Sequence, residues 1–583
     1  MKKKITIWCE IYKLIWSFSP KHLIFLSTLG LIQALSVIFQ LVSIQTFISY
    51  VQYNISDIRN TILSLSIIGV VLILRRLYNA YFNYNINKHI VWAQDIIMQN
   101  FINHTAHTPL NEYYNVDFET RKNKAIQGAE SASLFLIIGL MLISFNIPYF
   151  IFIGLYYSYM SPSLLFTLIL IIIPCFYAIH KNMHYYKELE DKISKNRKVT
   201  EYYYRCIGNI NYIKETKTLN AGNYFFEKIN NEAAEYYSTT HRHTKLVLKN
   251  SILGEAVKFI GYVCIFITLI LLVKNNIISV GLFIAIITSL NDMYSVFNDM
   301  VDRDFKSLSS FYSEVVNYID YINIKYKDNI AEYNTCNTIS LNNVTYSYPN
   351  TSLTAINNFS FDFEVGKTYA IVGENGAGKT TLSRLILGLL PVQEGSISYP
   401  QKNNGSKKIY PTFSALFQTY DKYPLTVAEN IFLSDCKKDT DYNEINNILA
   451  ECGLDINDVH QFPNSIHTML SREFSGIELS GGQWQRIALA RCMYRDGDIL
   501  LLDEPSSAID PINESTMYKT FKEMSVGKTS IIVSHRLGLT SIVDYILVLD
   551  KGKLIEYGTH DELIALNGKY KQMYLSQSSN YFN

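Results

Sequence analysis

Gly373-Glu374-Asn375-Gly376-Ala377-Gly378-Lys379-Thr380 is the stretch on which the fold turns. It fits the spacing G-x-x-x-x-G-K-[ST]. An apolar run, Thr368 to Val372, precedes it, and a helical pattern beginning at Thr381 follows. Strand, glycine loop and helix in that order are what phosphate binding needs. The glycines let backbone N–H groups wrap the anion, and the helix N-terminus adds partial positive charge. Lys379 is then placed to reach β- and γ-phosphates, and Thr380 to give an oxygen to Mg²⁺. The same spacing occurs by chance in unrelated chains, so a second element is needed.

Ile499 to Asp503-Glu504 supplies it: four apolar residues, then two acids. A strand buried in a parallel sheet reads as a continuous apolar run. Ligands bind at the carboxyl ends of such strands. Asp503 is positioned to hold Mg²⁺ through water, and Glu504 to polarise an attacking water. Without the glycine loop, the same residues would read as an acidic turn after any strand.

Shortly before that strand lies Leu479-Ser480-Gly481-Gly482-Gln483. This run resembles the signature motif of ATP-binding cassette (ABC) proteins, and other motifs stand in that family's order. The resemblance implies roles for them. Tyr348 matches the aromatic residue that stacks on adenine. Gln418 matches the glutamine that touches Mg²⁺ and the lytic water. Ser507 to Asp510 matches the D-loop, with Ile509 where Leu is commoner. His535 matches the switch histidine at the γ-phosphate. ATP and Mg²⁺ are the implied cofactors, with Gly373 to Thr381 around the phosphates. Glu504, His535 and Gln418 become the catalytic set, and Thr380, Gln418 and Asp503 the metal set. Ser480, Gly481 and Gly482 at a helix start form an anion site that, in this family, faces the γ-phosphate of the other cassette. One chain holds one such loop and one signature, so a second copy is the implied partner.

Outward from the cassette the chain changes character. Of its 583 residues, 48% are hydrophobic and only 18% charged, against about 25% charged in ordinary soluble proteins. A net charge of +1 gives no argument for nucleic acid. The apolar residues are concentrated. No Asp, Glu, Lys or Arg lies between Glu130 and Lys181, or between Lys21 and Asp57. A bilayer-spanning helix takes about 20 such residues. Six spans follow, near 22–48, 61–83, 132–157, 162–181, 251–274 and 278–300, with Ser161-Pro162-Ser163 as the turn between the third and fourth.

The segment 181–250 is rich in Lys and Arg, whereas the short connections hold only Arg59 and Lys274. Positive residues stay inside. Both termini, both long segments and the cassette are therefore expected in the cytosol, in the plasma membrane of a bacterium. Residues 4–18, with Trp8, Ile11 and Ile15 on one stripe, read as an interfacial helix. The long segments read as continuations of the spanning helices, turning at 107–111 and 220–223. Eight cysteines without a C-x-x-C pair read as free thiols.

The expected architecture is multidomain: an all-α six-helix transmembrane domain at 1–320, a linker at 321–337, and an α/β P-loop NTPase cassette at 338–583. This order resembles the half-transporter ABC exporters, whose hairpin tips carry coupling helices, here near 109–117 and 219–228. Trp484 after the signature, with Arg472 to Glu478 before it, resembles exporters of lantibiotics and other modified peptides. A peptide is therefore the expected cargo, with a lipid or multidrug exporter as the alternative. An ATP-gated channel or sensory subunit, or an importer on the same fold, are rivals of another class. Arg75, Arg76, Glu255, Lys258 and Asp292 are charges inside spans, candidates for a cavity or for pairing with one another.

Overall fold

The computed structural model describes residues 2–53, 58–166, 188–189, 192–193, 196–275, 277–326, 332–334, 338–400, 402–404, 407–409, 412–439, 441–505, 511–534, 538 and 543–579. The chain forms two compact units. One comprises Met1–His107 with Glu119–Lys325, and the other Thr108–Phe118 with Tyr326–Asn583.

The first unit is helical. Among the described residues five helices are long and apolar enough to cross a membrane: Pro20–Gln52, Ile58–Ala106, Asp117–Met160, Gly222–Lys274 and Val280–Ile322. They coincide with five of the six expected spans. Most of the fourth, from 167 to 181, lies outside the described residues. The helices far outrun a bilayer. Ile58–Ala106 has 49 residues, about 74 Å of helix against a hydrocarbon core of about 30 Å. Among the described residues, the polar stretches at 84–106, 117–131 and 222–250 are therefore continuations of the spans. Two helices include a widened π turn, at Leu142–Asn146 and Asp299–Phe305.

The turns have local causes. At the first, the helix ends at Ala106 and a short helix, Leu110–Tyr113, starts after Pro109, whose ψ of 146 is extended. At the second, Asn220 takes the left-handed conformation at φ 51, and the next helix opens at Gly222. Near the expected 219–228 tip, residues 222–228 are the first turns of Gly222–Lys274, and a short helix, Ile210–Thr218, precedes the turn.

The N-terminal helix, Lys2–Phe18, buries Ile7, Ile11 and Ile15 within the unit. Trp8 donates its indole N–H to the Leu136 carbonyl at 3.2 Å, where Gly139 leaves room for the ring. Its apolar stripe thus answers to protein packing rather than to lipid alone. Arg75 pairs with Asp292 at 2.9 Å and also donates to Gln40, so it ties three helices together. Glu255 accepts from the Tyr294 hydroxyl at 3.1 Å, and the Lys258 side chain lies outside the description.

The second unit is α/β. Strands β4 (Thr368–Val372), β8 (Phe413–Leu416), β9 (Ile499–Asp503), β10 (Thr529–Val533), β11 (Tyr545–Asp550) and β12 (Lys553–Gly558) form a sheet in the order β12-β11-β4-β10-β9-β8. All its pairings are parallel except β11 with β12. β9 and β10 are buried along their whole length, as the apolar run Ile499 to Leu502 of β9 requires. A second sheet, β1 (Glu332–Asn334), β5 (Glu394–Pro400), β2 (Thr338–Ser347) and β3 (Thr354–Glu364), is ordered β1-β5-β2-β3, and β6 (Lys402–Asn404) pairs with β7 (Lys407–Ile409) in a small ribbon. One apolar core lies between the sheets, around Phe363, Tyr369 and Leu382. Another, around Val427, Leu449 and Trp484, holds a helical portion of the cassette.

Candidate functional site

β4 ends at Val372 and the chain wraps through Gly373–Gly378 into the helix Lys379–Ile386. Gly378 has φ +100, and a Cβ there would press on the Ala355 carbonyl at 2.5 Å, so only glycine closes the loop. Gly376, at φ +81, has open space where a side chain would lie, which leaves the backbone accessible. Lys379 is largely buried. Its Nζ donates to the carbonyls of Gly373 at 2.8 Å and Glu374 at 3.0 Å. Desolvation holds its pKa below that of a free lysine.

β9 carries Asp503 to the edge of this loop, and Thr380 donates its hydroxyl to Asp503 Oδ1 at 3.4 Å. Asp503 is 1% exposed, and its Oδ2 is buried without a hydrogen-bond partner. Burial pushes this carboxyl up to about 6, with the neighbouring Glu504 adding to the shift. Glu504 has left the strand at φ 49, a conformation that costs energy in a non-glycine residue and recurs at functional sites. Its backbone N–H is anchored to Val533 at 2.9 Å, and its carboxylate accepts from Gln418 Nε2 at 2.6 Å.

Tyr348 sits just past β2, on a segment fixed twice over. The Gln393 amide pairs with both backbone groups of Ser347, each at 2.8 Å. Thr351 closes a turn onto the Tyr348 carbonyl at 2.9 Å. The Tyr348 hydroxyl lies 3.2 Å from Thr381 Oγ1.

These residues line one cavity of about 640 Å³, with Asn375, Gly376, Gly378, Lys379, Thr380, Thr381, Tyr348, Gln418 and Glu504 in its wall. Gly373, Ala377 and Asp503 are not part of the wall. Glu374 projects away to Lys569 of the C-terminal helix at 2.5 Å. The oxygens of Thr380 and Asp503 suit Mg²⁺, a hard cation that takes few protein ligands and completes its shell with water and phosphate. The orphaned Asp503 Oδ2 fits that use. Bound there with a nucleotide, the cation would neutralise phosphate charge. No cluster of three or more His, Cys, Asp or Glu that could hold a metal occurs among the described residues.

The signature is elsewhere. Ser480 caps the helix Gly481–Arg495 in a reciprocal capping box with Gln483. Gly481 and Gly482 have nothing within 4 Å where a Cβ would be, so that helix start is open. None of Leu479 to Gln483 lines the cavity. Asp510 and His535 lie outside the described residues.

Sequence reading missed two groups beside the cavity. Ala355 forms part of the wall from β3. Arg384, one turn into the helix after the glycine loop, donates to Tyr114 Oη at 2.7 Å and reaches Tyr348 Oη at 3.5 Å. Only the helical spacing of Thr381 and Arg384 hinted at a shared face.

Comparison with known proteins agrees with this geometry. Residues 356–507 match the ABC transporter family model. The nisin transport ATP-binding protein NisT of Lactococcus lactis subsp. lactis is 31% identical over 383 residues, 62% of this chain and 62% of that protein. An ATP-dependent lipid A-core flippase of Pseudoalteromonas atlantica is 32% identical over 242 residues, 41% of each. The chain thus aligns with less than two thirds of the length of these relatives. A solved bacterial Atm1-family ABC exporter with ATP bound superposes with a TM-score of 0.79 at 19% identity, over 95% of this chain and 98% of that one.

Proposed function

We propose that this chain, an ABC transporter ATP-binding domain joined to helices in the fold of an ABC exporter, is one half of an ATP-driven exporter. The observation that carries the reading is the split between two phosphate sites. Asn375, Gly376 and Gly378 to Thr381 line a nucleotide-sized cavity, while the open helix start at Ser480 does not belong to it. Two copies facing each other would complete both sites, each cavity receiving Ser480 of the partner subunit.

Catalysis then falls to residues already in reach of one another. The loop amides and Lys379 hold the phosphates, and Thr380 and Asp503 hold the cation. Glu504, oriented by Gln418 at 2.6 Å, accepts the proton of the attacking water. The resemblance to ABC proteins would add His535 at the γ-phosphate. Closure of the two cassettes biases the helices between two states, and hydrolysis resets them. Glu504→Gln keeps the shape and the contact with Gln418 but removes the base. ATP turnover should fall at least about 100-fold while ATP binding persists. Undiminished hydrolysis by that variant overturns the assignment.

The cargo reading is a modified peptide. It is supported by the match to the nisin transporter, which at 383 residues is longer than the cassette and so extends into the helical half. A groove between the last two long helices suits such cargo, with Glu255 beside Phe259, Tyr262, Phe266 and Tyr294. The flippase match, at 242 residues, is no longer than a cassette and favours a lipid cargo as the second reading. ATP-dependent accumulation in inverted membrane vesicles, compared for a cationic modified peptide and a fluorescent lipid, decides between them. Accumulation of neither rejects both.

A further inference from the structure

Residues Thr108–Phe118 are flanked in sequence by the spanning helices, yet they pack as part of the cassette unit. Tyr114 of this segment reaches the nucleotide cavity's wall. Its ring meets the Tyr348 ring edge-on, with centroids 5.0 Å apart and planes at 71°. Its hydroxyl accepts from Arg384 Nη1 at 2.7 Å, and the guanidinium carbon lies 5.8 Å from its ring centroid, within cation–π range. Arg384 reaches on to the Tyr348 hydroxyl at 3.5 Å, which also meets Thr381 at 3.2 Å. On a further side Tyr348 abuts the buried Tyr346 ring, at 5.2 Å and 87°.

A stacking ring is useful only if its plane is fixed before the base arrives. The Tyr348 backbone is fixed by Gln393 and Thr351. Its ring plane is not, because rotation about the side-chain bonds leaves the backbone untouched. The contacts that fix it are Tyr346, Tyr114 and the hydroxyl's tie to Arg384 and Thr381. Of these, Tyr114 alone comes from the hairpin. Burial raises the Tyr114 phenol's pKa, against the pull of Arg384, so it stays a neutral acceptor at working pH.

We propose that Tyr114 is a positioning residue for nucleotide binding, holding the Tyr348 ring through Arg384, so that the hairpin tip sets the affinity for the base. This rests on the reading of Tyr348 as the base-stacking residue. By linkage, whatever moves the tip changes base affinity, and base binding holds the tip by the same free energy.

The test uses the full chain in lipid nanodiscs and two competitors against a fluorescent nucleotide: ATP, and inorganic tripolyphosphate, which has no base. Tyr348→Ala should weaken ATP about tenfold, the range of one base–aromatic stack, and leave tripolyphosphate unchanged. Tyr114→Phe should weaken ATP about threefold, the scale of one hydrogen bond, and again spare tripolyphosphate. Combined with Arg384→Gln, Tyr114→Phe should add nothing further, and Arg384→Lys should restore part of the loss. A Tyr114→Phe variant that binds ATP as the wild type does overturns the proposal. So does one that weakens both competitors alike, because that marks a disturbed phosphate loop. If Tyr348→Ala leaves ATP affinity intact, the stacking reading falls first, separately from any effect of Tyr114.

Discussion

At the residue scale Asp503 shows what a buried carboxylate costs the free protein. Its buried carboxyl has a folded pKa of about 6 against an ordinary 3.8. Below the ordinary value both folded and unfolded chains carry the proton, and nothing is lost. Between the two values only the folded chain carries it, so stability falls as pH rises from about 4 to about 6, then stays low. A shift of about two units corresponds to about 3 kcal/mol. Asp503→Asn should therefore raise the Tm of the metal-free, nucleotide-free protein at pH 7 and flatten its dependence on pH between 4 and 6. The same variant should lose Mg²⁺-dependent hydrolysis. A scan of Tm against pH, run beside an ATPase assay, checks both. Equal pH slopes in the two proteins would remove Asp503 as the cause. Glu504 carries a related burden, with its backbone at φ 49.

At the scale of elements, the helix Gly481–Arg495 separates two demands that the sequence runs together. Its start, Ser480 to Gly482, is open, whereas Trp484 is 2% exposed inside the apolar core of the helical portion. The identity of Trp484 thus answers first to packing, whatever its value as a mark of kinship. Its indole N–H is buried without a partner, so Trp484→Phe sacrifices no hydrogen bond and should change stability by about 1 kcal/mol or less. Trp484→Ala should cost about 3–5 kcal/mol. Thermal unfolding of the two variants separates them, and equal losses would show that the N–H matters.

The same contrast explains what was legible. Residues 373–380 and 499–504 could be read because phosphate chemistry constrains neighbours in sequence. The turn at 107–111 showed through Pro109, and that at 220–223 through an asparagine and a glycine able to reverse the chain. The short helix at Ile210–Thr218 is set off by Gly208-Asn209, a break that was not read. The meeting of Tyr114 with Arg384 spans 270 residues, and no local pattern encodes a contact at that range. The burial of Ile11 and Ile15 was visible as a stripe, but an apolar stripe does not say whether protein or lipid covers it.

At the scale of the whole molecule, one charged pair within the spans joins distant helices of the helical half. Arg75 and Asp292 come from helices far apart in sequence and pair at 2.9 Å beside Gln40. Removing one partner strands the other in an apolar setting, whereas removing both does not. Arg75→Leu alone should lower the Tm of the protein in detergent micelles. Arg75→Leu with Asp292→Leu should regain most of the loss. If the double variant is worse than either single one, the pair is not a closed unit.

The packing of Thr108–Phe118 within the cassette unit also orders events in time. On the ribosome this segment is made long before the strands it joins. At ordinary synthesis rates Arg384 follows Tyr114 by roughly 15 to 50 seconds. The cassette's first piece therefore waits, exposed, for the rest of its own fold. A chain whose early helices crossed the bilayer the wrong way round would hold that piece on the far side, and the cassette would finish without it. Completion of the last domain is in this way a check on the orientation of the first, and a cassette produced alone from residue 326 would lack the tyrosine that covers Arg384.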